Sequence, residues 1–397
     1  MTFDLRIQPD VADLAMRVRA FIDSQIIPRE GELESADHGL SPEFRRELQD
    51  SARAAGVFAP TAPVALGGFG LDHRSMGPVL EECGRSLLGP AAMNCSAPDE
   101  GNMALLELIA TPEQRERYLT PLCSGAIRSS FSMTEPAPGA GSDPRLLTTE
   151  ATRRGDSWVI NGRKWFITGA DGATFSIVMA RTEGGATMFL VDADNPGMRI
   201  DKRLPTMDKA FSGGHCIVEF TDCLVTPESI LGELDKGFEY AQLRLGPARL
   251  THCMRWLGAA RRVHEVATAY AIERRMFDDR LADLGMAQQM LADNEIDIAA
   301  SRQLIWNAAG ALDAGMPART ETSICKTFVA EAVFRIADRS MQLCGGSGTL
   351  TDHPIARILI ESRAFRIYDG PSEVHRMSIA KRAVRRSSRG ELPGDWQ

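Results

Sequence analysis

Residues 342–374 are the stretch of this chain best suited to chemistry, and Asp369 is an acidic side chain near its end. The dipeptide Gly370-Pro371 follows it, and the glycine-rich run Gly345-Gly346-Ser347-Gly348 precedes it. Glycines let a backbone come close to a ligand, and a carboxylate can act as a general base. This pattern predicts a backbone cradle and a carboxylate that face one cavity.

The same stretch also fits two purely structural interpretations. Asp369 stands where a residue can cap a helix with Pro371 in its first turn and Glu373 supporting that turn. Local sequence alone favours the cap. The pair Gly345-Gly346 is equally typical of the end of a preceding helix.

Two further loops combine small residues with polar groups. Residues 131–144 carry the Thr134 and Ser142 hydroxyls beside Asp143, which suits an anionic or heteroaromatic ligand. Residues 161–169, N-G-R-K-W-F-I-T-G, form the second loop. Their structural alternative is a hairpin with Asn161-Gly162 in a type I′ turn and with Trp165 and Phe166 in the core.

The elements that must position these residues change in type twice along the chain. Helical spacing of apolar residues predicts an α-helical domain over residues 1–128, with Ser41 as a helix cap. Short β-branched and aromatic runs predict a middle domain over residues 129–236, an antiparallel β-barrel or sandwich. Long helical patterns return over residues 237–397 and predict a four-helix bundle. The fold class is therefore multi-domain α+β.

Composition excludes several classes of protein. The 397 residues carry 45 Lys+Arg against 53 Asp+Glu, a net charge of -8, which argues against nucleic acid as the main partner. The 8 cysteines include no C-x-x-C pair, so neither a zinc ribbon nor a redox dithiol is predicted. No apolar run is long enough to cross a membrane, and the start lacks a leader pattern, so we expect a cytoplasmic protein without a metal site.

The order of the motifs resembles that of the acyl-CoA dehydrogenase family over nearly the whole chain. A helical domain leads to T-E-P-A-P-G-A-G-S-D and N-G-R-K-W-F-I-T-G, and a β domain leads to a bundle with E-R-R-M-F, Q-L-C-G-G-S-G and I-Y-D-G-P-S-E-V. The runs G-G-H-C-I-V-E-F and R-L-G-P-A-R-L-T-H-C-M-R look most like the branch that animals fuse to a phosphotransferase-like domain.

The resemblance implies an FAD site and a substrate site. Ser142 would serve both, Arg249 would contact the acyl-CoA, and Arg274 and Phe277 would contact the FAD of a neighbouring subunit. The cofactor positions that the resemblance implies are Met133, Thr134, Ser142, Phe166, Thr168, Arg274, Phe277, Gln342, Gly345, Gly346 and Gly370. In the family, the hydroxyl at the Thr168 position lies near flavin N5.

Under the resemblance, Asp369 takes the position of the catalytic base, which is a glutamate in most members. It would remove the proton next to the thioester carbonyl while the β-hydride passes to flavin N5. In a closed apolar pocket we expect the pKa of such a base to rise. Some relatives place the base immediately before the arginine that matches Arg249, but that residue here is Ala248.

The implied function is oxidation of acyl-CoA thioesters to trans-2-enoyl-CoA in fatty acid and lipid metabolism. An electron-transfer flavoprotein would take the electrons, and a site shared between subunits implies a homo-oligomer, a dimer or a homotetramer built as a dimer of dimers. Two alternatives stay open: a flavin oxidase on the same scaffold, acting on acyl-CoA or nitroalkanes, and a non-catalytic scaffold that keeps the fold.

Overall fold

The computed structural model describes residues 6–33 and 39–390 and divides the chain into two compact units, residues 1–248 and 249–397. The first unit begins with helices, and most of their starts carry a capping side chain or a proline in the first turn. The Ser41 hydroxyl, for example, accepts a hydrogen bond from the backbone N–H of Phe44, as predicted. The helices are α1 (Pro9–Phe21), α2 (Pro42–Ala54), α3 (His73–Cys83), α4 (Gly89–Ala92), α5 (Asp99–Ile109), α6 (Pro112–Gln114) and α7 (Thr120–Cys123).

An eight-stranded sheet follows within the first unit. Its strands are β1 (Ser129–Ser132), β2 (Glu150–Arg154), β3 (Ser157–Thr168), β4 (Phe175–Arg181), β5 (Ala186–Asp192), β6 (Met198–Leu204), β7 (His215–Val225) and β8 (Ile230–Leu231). The order across the sheet is β6-β7-β3-β2-β4-β5-β8, and β1 pairs with β4. Most pairs are antiparallel, while β1 and one residue pair of β2 run parallel to β4.

Strands β4 and β5 are buried on both faces, which explains why they are continuous apolar runs. Phe175 and Ile177 face a core that includes Leu105 and Leu122 of the helices. Val178 and Phe189 face the opposite way, into a core formed with β3 and β7. Since successive side chains of a strand point to opposite faces, a strand between two cores needs apolar residues at every position.

The second unit is helical. The long helix α8 (Gly237–Glu273) begins in the first unit and continues into the second. It is followed by β9 (Arg275–Met276), β10 (Asp279–Arg280), α9 (Gly285–Asp313), α10 (Arg319–Cys344), α11 (Pro354–Phe365) and α12 (Ser372–Ser388). Helix α10 packs against α9, α11 and α12. Val329, Val333 and Ile336 of α10 are fully buried at helical spacing, so this helix supplies much of the core of the unit.

The predicted fold class is confirmed: helices, then a sheet, then helices. The domain limits at residues 128 and 236 stay a prediction. Among the described residues, no helix combines the length and apolarity needed to cross a membrane. Residues 1–5, part of the start examined for a leader, lie outside the described residues.

The hairpin interpretation of Asn161-Gly162 is wrong. Both residues lie inside β3, where the register with β7 shifts between Ile160 and Gly162. A Cβ on Gly162 would lie 2.4 Å from Oγ1 of Thr149, so glycine is needed for a close approach rather than for a turn. The tight turn lies earlier, at residues 155 and 156, between the paired ends of β2 and β3.

Candidate functional site

Glu135 is the buried carboxylate that shapes the T-E-P loop (residues 134–143). Its side chain is 0% exposed. Oε2 accepts from the backbone N–H groups of Ala140 at 3.1 Å and Thr148 at 2.7 Å, and Oε1 accepts from that of Thr149 at 2.8 Å. One side chain thus ties the start of the loop to its middle and to the segment that leads into β2.

Lys164 of β3 completes this arrangement from the neighbouring loop. Its fully buried Nζ lies 2.9 Å from Oε1 of Glu135 and donates to the carbonyl of Met133 at 3.2 Å. Burial alone would raise the pKa of Glu135, but the Lys164 charge and the Thr148 and Thr149 hydrogen bonds lower it to about 2. Burial lowers the pKa of Lys164 to about 8 against the opposing charge of Glu135. The ion pair locks the T-E-P loop onto β3.

Next to Lys164, β3 bulges away from its partner strand. The register with β7 shifts between Lys164 and Ile167, and the backbone N–H of Trp165 donates to the carbonyl of Thr134 at 2.8 Å. Phe166 adopts φ 53, a conformation that is costly for a bulky residue, and its side chain is 50% exposed. The bulge therefore presents an aromatic ring beside the T-E-P loop, and the structural alternative that placed Phe166 in the core is wrong.

Thr168, at the end of β3, belongs to a chain of three polar side chains. Its Oγ1 lies 3.0 Å from Nδ1 of His215, the residue paired with it on β7. Nε2 of His215 lies 2.9 Å from Oδ2 of Asp208. Burial opposes ionisation of Asp208, but its hydrogen bond and charge interaction with His215 bring the pKa of the carboxyl below its usual value.

In the second unit, Asp369 lies in a tight turn between α11 and α12. Its φ is 55 and that of Gly370 is 98. A Cβ on Gly370 would lie 2.8 Å from Nε2 of His375, so glycine is required there. Helix α12 begins at Ser372 without a side-chain cap. The predicted helix-cap role of Asp369 is therefore wrong, although the turn and the following helix are present.

Three cationic or imidazole side chains hold the carbonyl groups of this turn. Buried Lys326 of α10 donates from Nζ to the carbonyls of Phe365 and Gly370, both at 2.8 Å. The carbonyl of Asp369 accepts from Nε of Arg249 at 2.8 Å and from Nε2 of His375 at 3.2 Å. The turn is fixed from three helices through its main chain.

The charge states of these donors follow from burial. Burial lowers the pKa of Lys326 to about 8, with the Asp369 charge acting in the opposite direction. Burial and the charges of Arg249 and Lys326 lower the pKa of His375 to about 4. His375 is consequently neutral near pH 7, and its bond to a carbonyl places the proton on Nε2.

The Asp369 carboxylate faces aromatic rings and one imidazole. Oδ2 lies 3.4 Å from Nε2 of His252. The His252 ring lies 5.1 Å from that of Tyr368, whose hydroxyl accepts from Nε1 of Trp256 at 2.6 Å, and Phe365 lies on the same side. Asp369 is 19% exposed, so a mostly buried carboxylate retains limited access from outside.

Arg274 follows the end of α8, and Phe277 belongs to the β9–β10 hairpin that comes directly after it. Phe277 and Asp278 form its two-residue turn with φ 51 and 67, values typical of a type I′ turn. The Phe277 side chain is 85% exposed. An aromatic ring at the tip of a hairpin, in a conformation that favours glycine, is an unusual surface feature.

The glycine-rich stretch ends α10. Gly345 adopts φ 56 and ψ -140 at the helix end, and its N–H donates to the carbonyl of Gln342. A Cβ on Gly345 or Gly346 would meet no atom within 4 Å, so the backbone there is open on that side. The helix-end interpretation is confirmed, and the open backbone remains compatible with a ligand.

The structure brings some predicted site residues together and leaves others apart. In the second unit Arg249 contacts Asp369 directly. In the first unit the backbone of Thr134 is bonded to the strand that carries Phe166 and Thr168. Ser142 is exposed in the T-E-P loop. Gly370 lies in the Asp369 turn, whereas Gln342 and Arg274 lie at separate helix ends of the second unit.

Comparison with known proteins identifies the family. The acyl-CoA dehydrogenase N-terminal, middle and C-terminal domain models match residues 8–126, 130–223 and 235–384. The chain belongs to the acyl-CoA dehydrogenase family. The predicted family is thereby confirmed. A probable acyl-CoA dehydrogenase of Mycobacterium tuberculosis is 35% identical over 96% of this chain and 97% of its own length.

Animal acyl-CoA dehydrogenases are among the relatives, in agreement with the predicted branch. Acyl-CoA dehydrogenase family member 11 of Gallus gallus is 34% identical over 93% of this chain, which spans only 50% of that relative. A Mycobacterium abscessus structure named among the acyl-CoA dehydrogenases has 35% identity and a TM-score of 0.89, covering 96% and 100% of the two chains. A glutaryl-CoA dehydrogenase from Mycobacterium smegmatis in complex with FADH2 has 26% identity and a TM-score of 0.85, covering 95% of each chain.

Sequence reasoning missed most of the residues that position the acyl-CoA dehydrogenase motifs. They are Glu135, Lys164, Asp208, His215, His252, Lys326 and His375. For Glu135 a signal existed, because this charged residue lies inside a motif whose neighbours are small or apolar. For Asp208 and Lys326 none existed, since their partners lie on other elements and only the fold brings them together.

Proposed function

We propose that this chain is an FAD-dependent acyl-CoA dehydrogenase that converts acyl-CoA thioesters to trans-2-enoyl-CoA, with Asp369 as the base. The observation that carries the proposal is the Asp369 turn. A carboxylate sits at a left-handed backbone position, and both its own carbonyl and that of Gly370 are held by buried donors. Strain of this kind persists only where the surroundings enforce it, and it is concentrated at functional sites.

The residues of the first unit fit an isoalloxazine ring. Phe166 offers a half-exposed ring beside the Thr168 hydroxyl, and the T-E-P loop offers main-chain groups held in place by Glu135. Nε1 of Trp165 is buried without a hydrogen-bond partner within residues 6–33 and 39–390, a donor that a ligand acceptor could satisfy. Bound FAD would supply the acceptor for the hydride. Met133, Thr134, Phe166 and Thr168 would hold its ring in the first unit.

The residues around Asp369 suit proton removal from a carbon acid. The Asp369 carboxylate lies close enough to Arg249 and Lys326 to interact with their charges. Its ionised form is the one that accepts a proton. His252 and the rings of Tyr368 and Phe365 surround the carboxylate and limit its contact with water. The backbone N–H of Asp369 would donate to the thioester carbonyl and so make the neighbouring C–H more acidic. Arg249, which fixes the Asp369 carbonyl, would act mainly by orienting the base.

The test is to replace the carboxylate and follow the flavin. We expect Asp369→Ala to bind FAD as the wild type does and to lose about 10²–10⁴-fold in the rate of anaerobic flavin bleaching by acyl-CoA. The matched control is Asp338→Asn, which removes an exposed carboxylate of α10 in the same unit. It should bleach at the wild-type rate. Undiminished bleaching in Asp369→Ala would remove Asp369 as the base.

The same preparation separates the alternatives. Hydrogen peroxide release with a nitroalkane, without bleaching by any acyl-CoA, would identify a flavin oxidase. Protein that stays colourless after incubation with FAD would identify a non-catalytic scaffold. A reduced enzyme that passes electrons to an electron-transfer flavoprotein faster than to dioxygen would support the proposed acceptor.

A further inference from the structure

Thr168, His215 and Asp208 form a hydrogen-bonded relay, in which His215 and Asp208 are nearly buried. His215 and Asp208 have side chains that are 10% and 5% exposed. The two joining distances are 3.0 Å and 2.9 Å. The elements fix this arrangement, because Thr168 and His215 are a paired position of β3 and β7. The ring of Phe211 lies 5.4 Å from that of His215 at an angle of 60° and restricts its rotation.

The direction of the hydrogen bonds in this relay follows from the chemistry of its members. The ionised carboxylate of Asp208 can only accept, so Nε2 of His215 must carry a proton. In an imidazolium Nδ1 would also carry a proton and donate to the Thr168 oxygen, whereas in the neutral imidazole Nδ1 is unprotonated and accepts from the hydroxyl of Thr168. The Thr168 oxygen consequently turns its lone pairs, and not its hydrogen, towards its remaining neighbour.

We propose that His215 is a neutral imidazole with its proton on Nε2, and that Asp208 and His215 are positioning residues that set Thr168 as a hydrogen-bond acceptor and thereby favour the reduced flavin over the oxidised one. The inference rests on the proposed function, in which Thr168 would hold the flavin ring, and on the family resemblance, which implies that its hydroxyl lies near N5. N5 carries a proton in the reduced flavin and a lone pair in the oxidised flavin. A hydroxyl that donates to His215 can still accept a hydrogen bond from the N5–H of the reduced flavin. Opposite the oxidised flavin, a lone pair of the Thr168 oxygen would face the lone pair of N5, which is unfavourable.

The reduction potential of the bound flavin tests this relay without any substrate. His215→Phe removes the acceptor and frees the Thr168 hydrogen to bond N5 of the oxidised flavin. We expect the ratio of reduced to oxidised flavin at a fixed potential to fall about tenfold, the effect of one hydrogen bond. For a two-electron couple this lowers the potential by about 30 mV.

The matched control is the same substitution in a Thr168→Val background. Without the hydroxyl, His215→Phe should leave the potential unchanged, and Thr168→Ser should keep the wild-type value. An unchanged potential in His215→Phe, or an equal shift in the Thr168→Val background, would overturn the relay. Since the potential is read on FAD-bound protein without acyl-CoA, these outcomes are distinct from a protein that fails to bind FAD, which would refute the proposed function itself.

A second measurement needs only the wild-type holoenzyme and decides the question if His215→Phe does not fold. Nitrogen-15 labelling of histidine reports which ring nitrogen carries the proton. We expect the His215 signals to show a protonated Nε2 and an unprotonated Nδ1, and Thr168→Val to move the Nδ1 signal. A protonated Nδ1 in the wild type would refute the proposed direction of the relay.

Discussion

At the scale of single residues, removing one partner of the buried Glu135–Lys164 pair should cost more stability than removing a carboxylate from the exposed surface. Glu135→Gln leaves a fully buried lysine without its counter-charge. We expect the free energy of unfolding at pH 7 to fall by about 3–5 kcal/mol, measured by urea denaturation. Glu183→Gln, which removes an exposed carboxylate of the same unit, should change it by less than about 0.5 kcal/mol.

The same pair predicts a pH dependence with a definite sign. The pKa of Glu135 falls from 4.5 to about 2 on folding, so its stabilisation is complete above pH 4.5 and is lost as the pH falls towards 2. Stability of Glu135→Gln should therefore decline less steeply than that of the wild type over this range. The double variant Glu135→Gln, Lys164→Met should recover part of the loss at pH 7. A double variant as unstable as Glu135→Gln would show that the loss of stability does not come from the unpaired charge of Lys164.

At the scale of elements, the β3 bulge predicts a trade between stability and cofactor binding. Phe166→Gly and Phe166→Ala both remove the half-exposed ring, but only glycine relieves the φ of 53. We expect Phe166→Gly to be about 1 kcal/mol more stable than Phe166→Ala, and both variants to bind FAD more weakly than the wild type. Thermal unfolding of FAD-free protein and FAD titration measure the two effects separately. Equal stability of the two variants would show that the bulge is unstrained.

Strand β3 also shows which features local sequence cannot predict. The strands around it were predictable because Phe175–Arg181 and Ala186–Asp192 are apolar runs. Asn161-Gly162 satisfies the local rule for a type I′ turn, yet it lies inside a strand because Thr149 packs against the glycine. Local propensity does not include such tertiary contacts. The relay of Thr168, His215 and Asp208 was missed for the same reason, since it depends on the register of two strands.

At the scale of the whole molecule, the Phe277 hairpin predicts an assembly of identical chains. In the proposed FAD site, the Phe277 ring, which is 85% exposed at a hairpin tip, would contact the FAD of another copy. We expect sedimentation to give a mass at least twice the 43.3 kDa of one chain. Phe277→Asp should lower the mass and release FAD. Met16→Asp, at a 64% exposed position of α1, should do neither. A monomeric wild type that retains FAD would contradict the shared site.

The three-part organisation was predictable at this scale because periodicity changes from helix to strand and back. The helical pattern predicted from residue 237 onward begins where α8 begins, since long periodic patterns are the most reliable signal. The role of Asp369 was not readable from local sequence, which favoured a cap. Lys326 lies 43 positions earlier and Arg249 lies 120 positions earlier, and they reach the turn only after the helices pack.

The hydrogen bonds that fix the Asp369 turn influence how position 369 can evolve. Lys326, Arg249 and His375 all bind main-chain carbonyls, which every amino acid provides. These hydrogen bonds are thus independent of the side chain at position 369. Mutation can exchange the group at position 369 while leaving its support intact, within the limit that a φ of 55 sets. A single substitution at position 369 can therefore introduce a different reactive group while the backbone of the turn keeps its hydrogen bonds.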